Sequence, residues 1–402
     1  MAKKKKVRAN GEGHIRKRTD RRSKPWEGVY KDPITGKPKS IYCTTQAEVT
    51  KKLREIRGSI ENGTYIENPN LTLGEWLTQW LEVYAKPKVR ISTYASYETY
   101  VNRHIIPVLG KIKLKDLRKD TLQRFLNEKH TEGRIDKKGG LSAKTIKNLR
   151  NMIHSALQQA CDNDLIHKNA SEKLSLPEHI KKEIEVFGIE EQRRLQDASK
   201  NFRLGIGIIL SLYTGIRVGE LLGLWWSDID LQGEILHVRR ILQRVTVHDD
   251  SNHKTKIIIG EPKTAKGRRI VPLPPFLIPL LIKFKKQQQE ESLLFGQDYI
   301  TAPFNGDFVI RNEYGKYIEP RTYQDFFKRV QKEAGIPILT THACRHTFAT
   351  RALENNNFDI KTLSTILGHA SVLITLDLYG HSLFDHQRKL MGKFNELWEG
   401  GL

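Results

Sequence analysis

The chain has 402 residues, 68 Lys and Arg against 46 Asp and Glu for a formal net charge of +22, and 38% apolar residues that include 14 Phe, 13 Tyr and 6 Trp. That is room for two or three domains with sizeable cores, which excludes both a small stapled module and wholesale disorder, and the basic surplus points to a polyanionic partner. Three scattered cysteines, Cys43, Cys161 and Cys344, exclude a disulfide framework or a Cys-based zinc module, and no stretch reaches the ~18 apolar residues of a membrane span.

The first 60 residues hold 18 Lys and Arg against 6 Asp and Glu, so a little over half of the excess charge lies here. Lys3-Lys4-Lys5-Lys6 is followed by no apolar run and is not a signal peptide; the stretch to Arg18 reads as a flexible basic arm, and the expectation is a cytoplasmic protein with no membrane contact. Strand-like pieces at 26–30 and 40–43 flank Asp32-Pro-Ile-Thr-Gly36, a hairpin turn signal. Thr45 caps a helix running from Gln46 to about Asn62, ended by Gly63. Lys3, Lys4, Lys5, Lys6, Arg16, Lys17, Arg18, Arg21 and Arg22 are the candidate phosphate contacts of this module.

A linker at 67–70 leads to Thr72, which with Glu75 forms a capping box; Leu73, Trp76, Leu77, Trp80, Leu81 and Tyr84 then recur at helical spacing until Pro87. A helix from Ser92 ends before Pro107 and Gly110, and two more span 117–130 and 142–162. Residues 71–175 thus read as an all-helical domain whose aromatic stripe is core. After a charged, Pro-broken linker at 175–186, one larger domain carries helices at 190–197, 203–214, 218–224, 274–288, 322–334, 343–354 and 360–367. Its strands are expected at 235–239, 256–259 and 268–272.

Five motifs in this last domain carry chemistry. In Tyr213-Thr-Gly-Ile-Arg217-Val-Gly-Glu220, Gly215 breaks one helix and Arg217 opens the next, placing a guanidinium where it can fork onto phosphate oxygens, with Glu220 three positions on to hold it. Lys263 precedes a turn at Gly267 and can reach a phosphate or a leaving oxygen; Lys266, Arg268 and Arg269 beside it form a basic hairpin that suits DNA contact and a solvated face equally. His342 and Arg345 lie three apart at a helix start and project from one face. Gly368 ends a helix and exposes His369, and Tyr379 follows ten residues later. Cys344 and His346 lack the second Cys cluster that a zinc site needs, so no metal and no cofactor is expected.

Two Arg, two His, one Lys and one Tyr in this arrangement resemble the tyrosine recombinase (phage integrase) family, and the whole chain is similar to integrases of conjugative transposons from Gram-positive bacteria. The resemblance implies a multidomain α+β protein: a small sheet-plus-helix arm-binding domain over 1–65, an all-helical core-binding domain over 71–175, a mainly helical catalytic domain with a small antiparallel sheet over 187–381, and a tail over 382–402 for protomer contacts. It implies Arg217 and Arg345 as paired catalytic arginines, Lys263 as the hairpin lysine, His342 and His369 as the two histidines and Tyr379 as the nucleophile. The implied activity is site-specific recombination through a 3′-phosphotyrosine, without metal or nucleotide. The implied partners are double-stranded DNA at element ends, arm sites and crossover sites, further copies in a synaptic tetramer, and an excision accessory protein. A type IB topoisomerase shares the tyrosine chemistry and a non-catalytic architectural DNA-binding protein shares the charge; a covalent adduct and exchange between two duplexes separate these.

Overall fold

The structure, a computed structural model, describes residues 14–378 other than 34, 64, 67, 179–183, 247–254, 263–264, 301–303, 305 and 355–357, together with residue 391. Contacts divide the chain into two units, Met1–Ile180 and Lys181–Leu402.

The first unit opens with an antiparallel sheet of β1 (Ile15–Lys17), β2 (Trp26–Lys31) and β3 (Pro38–Cys43) in that order. The turn between β2 and β3 is built by Asp32, whose carbonyl accepts from Gly36 N at 2.9 Å and whose carboxylate accepts from Thr35 N at 3.2 Å. Helix α1 (Gln46–Glu61), closed by the Thr45/Glu48 capping box, buries Val49 and Leu53 on the sheet. Gly28 permits that approach, since a Cβ there would lie 2.5 Å from Val49 Cγ1. One expectation is corrected here: Ile15–Lys17 is a paired strand, with Ile15 packed on the same cluster, and not part of a loose arm. The polar neighbours of Ile15 hide the strand in sequence; ladder pairing to Trp26, Glu27 and Gly28 makes it.

A second, separate core follows in this unit. Helix α2 (Leu73–Trp80) continues through a π-helical turn at Leu81–Ala85, and α3 (Ile91–Thr99) through another at Tyr100–Ile105 into α4 (Ile106–Leu109). Pro107 therefore does not end the helix, contrary to expectation, because it occupies the first turn of α4, where a missing N–H costs little. With α5 (Lys119–Glu132) and α6 (Ala143–Asp162) these helices enclose Trp76, Leu77, Leu122, Phe125, Ile146 and Leu149, and Trp76 Nε1 donates to Ala156 O at 2.9 Å.

The second unit packs α7 (Ile189–Ser199), α8 (Gly205–Thr214), α9 (Val218–Leu222), α10 (Leu277–Phe295), α11 (Pro320–Glu333), α12 (His342–Glu354) and α13 (Ile360–Leu367) around one large core. Its strands are β4 (Ile229–Asp230), β5 (Ile235–Val238), β6 (Ile241–Thr246), β7 (Thr255–Gly260) and β8 (Arg269–Pro272). They form two sheets, β4-β5-β8 and β6-β7, so among the described residues the strands on either side of Lys263 do not pair as the expected hairpin: β7 pairs with β6 and β8 with β5. Sequence reading missed β6, where Arg244 beside Gln243 interrupts the apolar pattern, yet Leu242 and Val245 are buried. Helix α10 outlasts its expected end at 288 because its last turns are held from outside, with Arg203 Nε donating to Glu291 at 2.7 Å and Trp226 Nε1 to the buried Gln288 at 2.8 Å. Among the described residues no helix is long and apolar enough to cross a membrane.

Candidate active site

Three chain reversals in the second unit converge. Helix α8 ends at Gly215 in the left-handed region, φ +63, and Arg217 is the residue from which α9 starts. Helix α13 ends the same way at Gly368, φ +64, which delivers His369 immediately afterwards. Helix α12 begins at His342 and carries Arg345 one turn on. Arg345 joins the three: buried at 4% exposure, it donates from Nη1 to Gly215 O and from Nη2 to Leu367 O, both at 2.7 Å. Two helix C-termini whose last carbonyls lack intrahelical donors are thus satisfied by one guanidinium.

Glu220 anchors the other arginine. Its carboxylate, 2% exposed, accepts from Arg217 N at 2.8 Å and from Arg217 Nη1 at 2.9 Å, which leaves the Arg217 side chain 37% exposed and aimed by one edge. Burial alone would raise the Glu220 pKa, but hydrogen bonds and charge from Arg269, then Arg217, outweigh it and hold the carboxyl below its ordinary value. Arg269 is expected from sequence as a surface cation, suited equally to DNA contact and to a solvated face. It is turned inward instead, 4% exposed, and grips both oxygens of the same carboxylate at 2.8 and 3.0 Å.

His369, expected to be exposed where Gly368 ends the helix, is buried instead, and its Nδ1 meets Thr375 Oγ1 at 2.8 Å. Its pKa is pushed down to about 4, first by burial and then by the charges of Arg345, Arg217 and Arg269, so the ring is neutral at physiological pH. When Thr375 donates to Nδ1, Nε2 carries the proton and is a donor. His342 stays exposed at the head of α12, its pKa lowered by partial desolvation and by Arg345 and Arg217; His346, one turn on, has its ring 6.4 Å away and a pKa pushed to about 4 by burial. Arg217, His342, Arg345 and His369 are therefore brought together from 153 positions of sequence, between residues 217 and 369. Lys263 and Tyr379 lie outside the described residues, Tyr379 directly after a helix over 372–378. No group of His, Cys, Asp and Glu suited to a metal occurs among the described residues.

The profile of the phage integrase family matches residues 189–386, and that of the phage integrase N-terminal SAM-like domain matches residues 72–130. A XerC-like tyrosine recombinase of Caldanaerobacter subterraneus subsp. tengcongensis is 32% identical over 368 residues, covering 90% of this chain and 92% of that protein. The chain belongs to the phage integrase family of tyrosine recombinases. The transposase of transposon Tn916 from Enterococcus faecalis is 24% identical over 366 residues, covering 86% of this chain and 83% of that protein. The Tn1549 transposon integrase, solved with a circular intermediate DNA, shares the fold with a TM-score of 0.63 at 21% identity, covering 81% of this chain and 99% of that one. The recombinase is an enzyme of site-specific recombination and resembles integrases of Gram-positive conjugative transposons.

The candidate DNA contacts of the recombinase fall in different settings. Lys17, Arg21 and Arg22 are exposed, and Arg21 lies 3.9 Å over the Tyr42 ring. Arg16 donates to Glu27 at 2.6 Å and Arg18 to the same carboxylate at 3.4 Å, so both are held at the sheet surface by a buried anion. Lys266 is exposed and donates to Ala370 O at 3.0 Å, while Arg268 pairs with Glu261. Lys3, Lys4, Lys5 and Lys6 lie outside the described residues, as does the tail but for Met391. The pairing of Arg269 with Glu220 and the support of His369 by Thr375 were not foreseen; Glu220 and Arg269 stand 49 positions apart and share no motif.

Proposed function

We propose that this recombinase is the integrase of a mobile element, acting in the cytoplasm on double-stranded DNA at element ends, arm sites and crossover sites. Tyr379 Oη attacks the scissile phosphorus in line; the P–O5′ bond breaks, and the 3′-phosphotyrosine conserves the bond energy until the 5′-hydroxyl of another strand displaces the tyrosine. The phenol passes its proton to His342 as it attacks, and Lys263 protonates the departing 5′-oxygen. Arg217, Arg345 and His369 stabilise the charge that grows on the non-bridging oxygens, work that a divalent metal does in other nucleases. Arg345 and His369 are preorganised for this, since their internal hydrogen bonds already fix them before DNA arrives.

The observation that carries the reading is the convergence of Arg217, Arg345 and His369 around two left-handed glycines in one unit. Four tyrosines, one per strand of two duplexes, require a synaptic tetramer. The tail over 382–402 joins neighbouring protomers in that assembly, and an excision accessory protein sets the direction of the reaction. A nicked suicide duplex tests the nucleophile: Tyr379→Phe retains duplex affinity and forms no covalent adduct on a denaturing gel. Adduct at the parental level from the Phe protein would dispose of the assignment.

A further inference from the structure

Arg269 makes more internal contacts than any role at a DNA surface needs. Nη1 and Nη2 clasp the two oxygens of Glu220 at 3.0 and 2.8 Å, Nη1 also donates to Gly267 O at 3.1 Å, and Nε donates to Ile366 O at 2.5 Å. Each partner leads to a different part of the proposed site. Glu220 holds the backbone and guanidinium of Arg217. Gly267 closes the short turn Ala265–Gly267, which follows Lys263 in sequence. Ile366 is one residue from Leu367, whose carbonyl takes Arg345, and three from His369.

The space around this guanidinium is reserved for it. A Cβ on Gly368 would lie 2.9 Å from Arg269 Cδ and 2.9 Å from Lys266 O, and Lys266 Nζ ties the same turn to Ala370 O at 3.0 Å. From this junction we infer that Arg269 is a positioning residue for the recombination reaction, setting Arg217 through Glu220 while fixing the Ala265–Gly267 turn against the segment that presents His369.

The need for Arg rather than Lys follows from geometry. Clasping both oxygens of a carboxylate and two carbonyls in one plane requires the rigid fork of a guanidinium; an ammonium is a point charge that satisfies one partner at a time. Without the clasp, the buried Glu220 anion retains Arg217 as its one remaining arginine and draws its guanidinium inward, away from the phosphate. Phosphate charge then meets a misdirected donor, so the loss falls on the transition state and not on duplex binding.

This inference rests on the proposed role of Arg217, and the experiment separates the two. Single-turnover cleavage by the full chain is measured on a suicide duplex with an ordinary scissile phosphodiester and on one with a methylphosphonate there, which lacks the charged non-bridging oxygen. Arg269→Lys and Arg269→Gln should slow the phosphodiester by roughly 10- to 100-fold, comparable to the loss of a partner that orients a metal ligand. The methylphosphonate should slow by less than about threefold, because little charge remains for Arg217 to meet. Duplex affinity should be unchanged. Arg217→Ala serves as the reference: if it slows both substrates equally, the role of Arg217 itself falls. If Arg217→Ala discriminates and the Arg269 variants slow both substrates equally, or lose their thermal transition altogether, Arg269 is structural and the inference is overturned.

Discussion

Gly215→Ala should damage this protein well beyond the ordinary cost of a left-handed residue. At φ +63 an L side chain carries about 1–2 kcal/mol of backbone strain. An alanine Cβ would in addition lie 2.5 Å from Phe348 Cδ1 and 2.9 Å from Leu367 Cδ2, approaches that force side chains of α12 and α13 apart. Overpacking of that kind costs about 1–3 kcal/mol, for a total of about 2–5 kcal/mol. Gly335→Ala is the matched control: it also has φ +61 at the end of a helix, and the nearest atom to its Cβ is Arg194 Nη1 at 3.8 Å, so strain of about 1–2 kcal/mol is the whole cost. Thermal unfolding followed by near-UV circular dichroism reads both, at roughly 2–4 °C per kcal/mol for a unit of this size. Because Gly215 O accepts the Arg345 hydrogen bond, adduct formation should also fall in Gly215→Ala below its melting range, and not in Gly335→Ala. Equal melting of the two variants would refute the argument that the packing of Phe348 and Leu367 reserves this position for glycine.

Acid should weaken the second unit. His346 and His369 have pKa values near 4 against 6.5 for a free imidazole, so between about pH 6.5 and 4 the unfolded chain binds more protons, stability falls as pH falls, and above pH 6.5 neither contributes a slope. His346→Gln should flatten the descent in melting temperature between pH 7 and pH 5; an unchanged slope would clear that residue of responsibility. Cleavage should proceed at the same rate in EDTA, because side chains meet the phosphate charge; abolition by the chelator with recovery on Mg²⁺ would count against the proposed chemistry. Deleting residues 1–65 should lower affinity for arm sites and make the log–log salt dependence shallower by about 0.9 for every phosphate that this segment neutralises, while crossover-site duplexes are still cleaved. Unchanged arm-site affinity would make the basic surplus of this segment a solubilising face.

Local chemistry explains what was legible in the chain by itself. The cap at Thr45 and the capping box at Thr72 are matters of a few adjacent residues, and Gly215 and Gly368 stop helices because backbone sterics at φ above zero are a one-residue matter. The amphipathic repeat from Leu73 to Trp80 likewise announces the face that becomes the core of the helical domain. The motifs around Arg217, His342, Arg345 and His369 were readable for the same reason, each being a short run whose residue types suit phosphate.

Long-range pairing was not legible. Strand β8 joins β5 across more than 30 residues and leaves β7 to β6, a choice made by which apolar faces find cover and not by the turn between neighbours. Pro107 was misread because a π-helical stretch before it re-registers the helix and puts the proline in a first turn. Arg269 shows the limit most plainly: in sequence it is one more cation beside Arg268, and a surface position is the natural reading. Only the fold sets a buried carboxylate against it, and a charge buried at that depth persists because its partner is a fork that the fold has already placed.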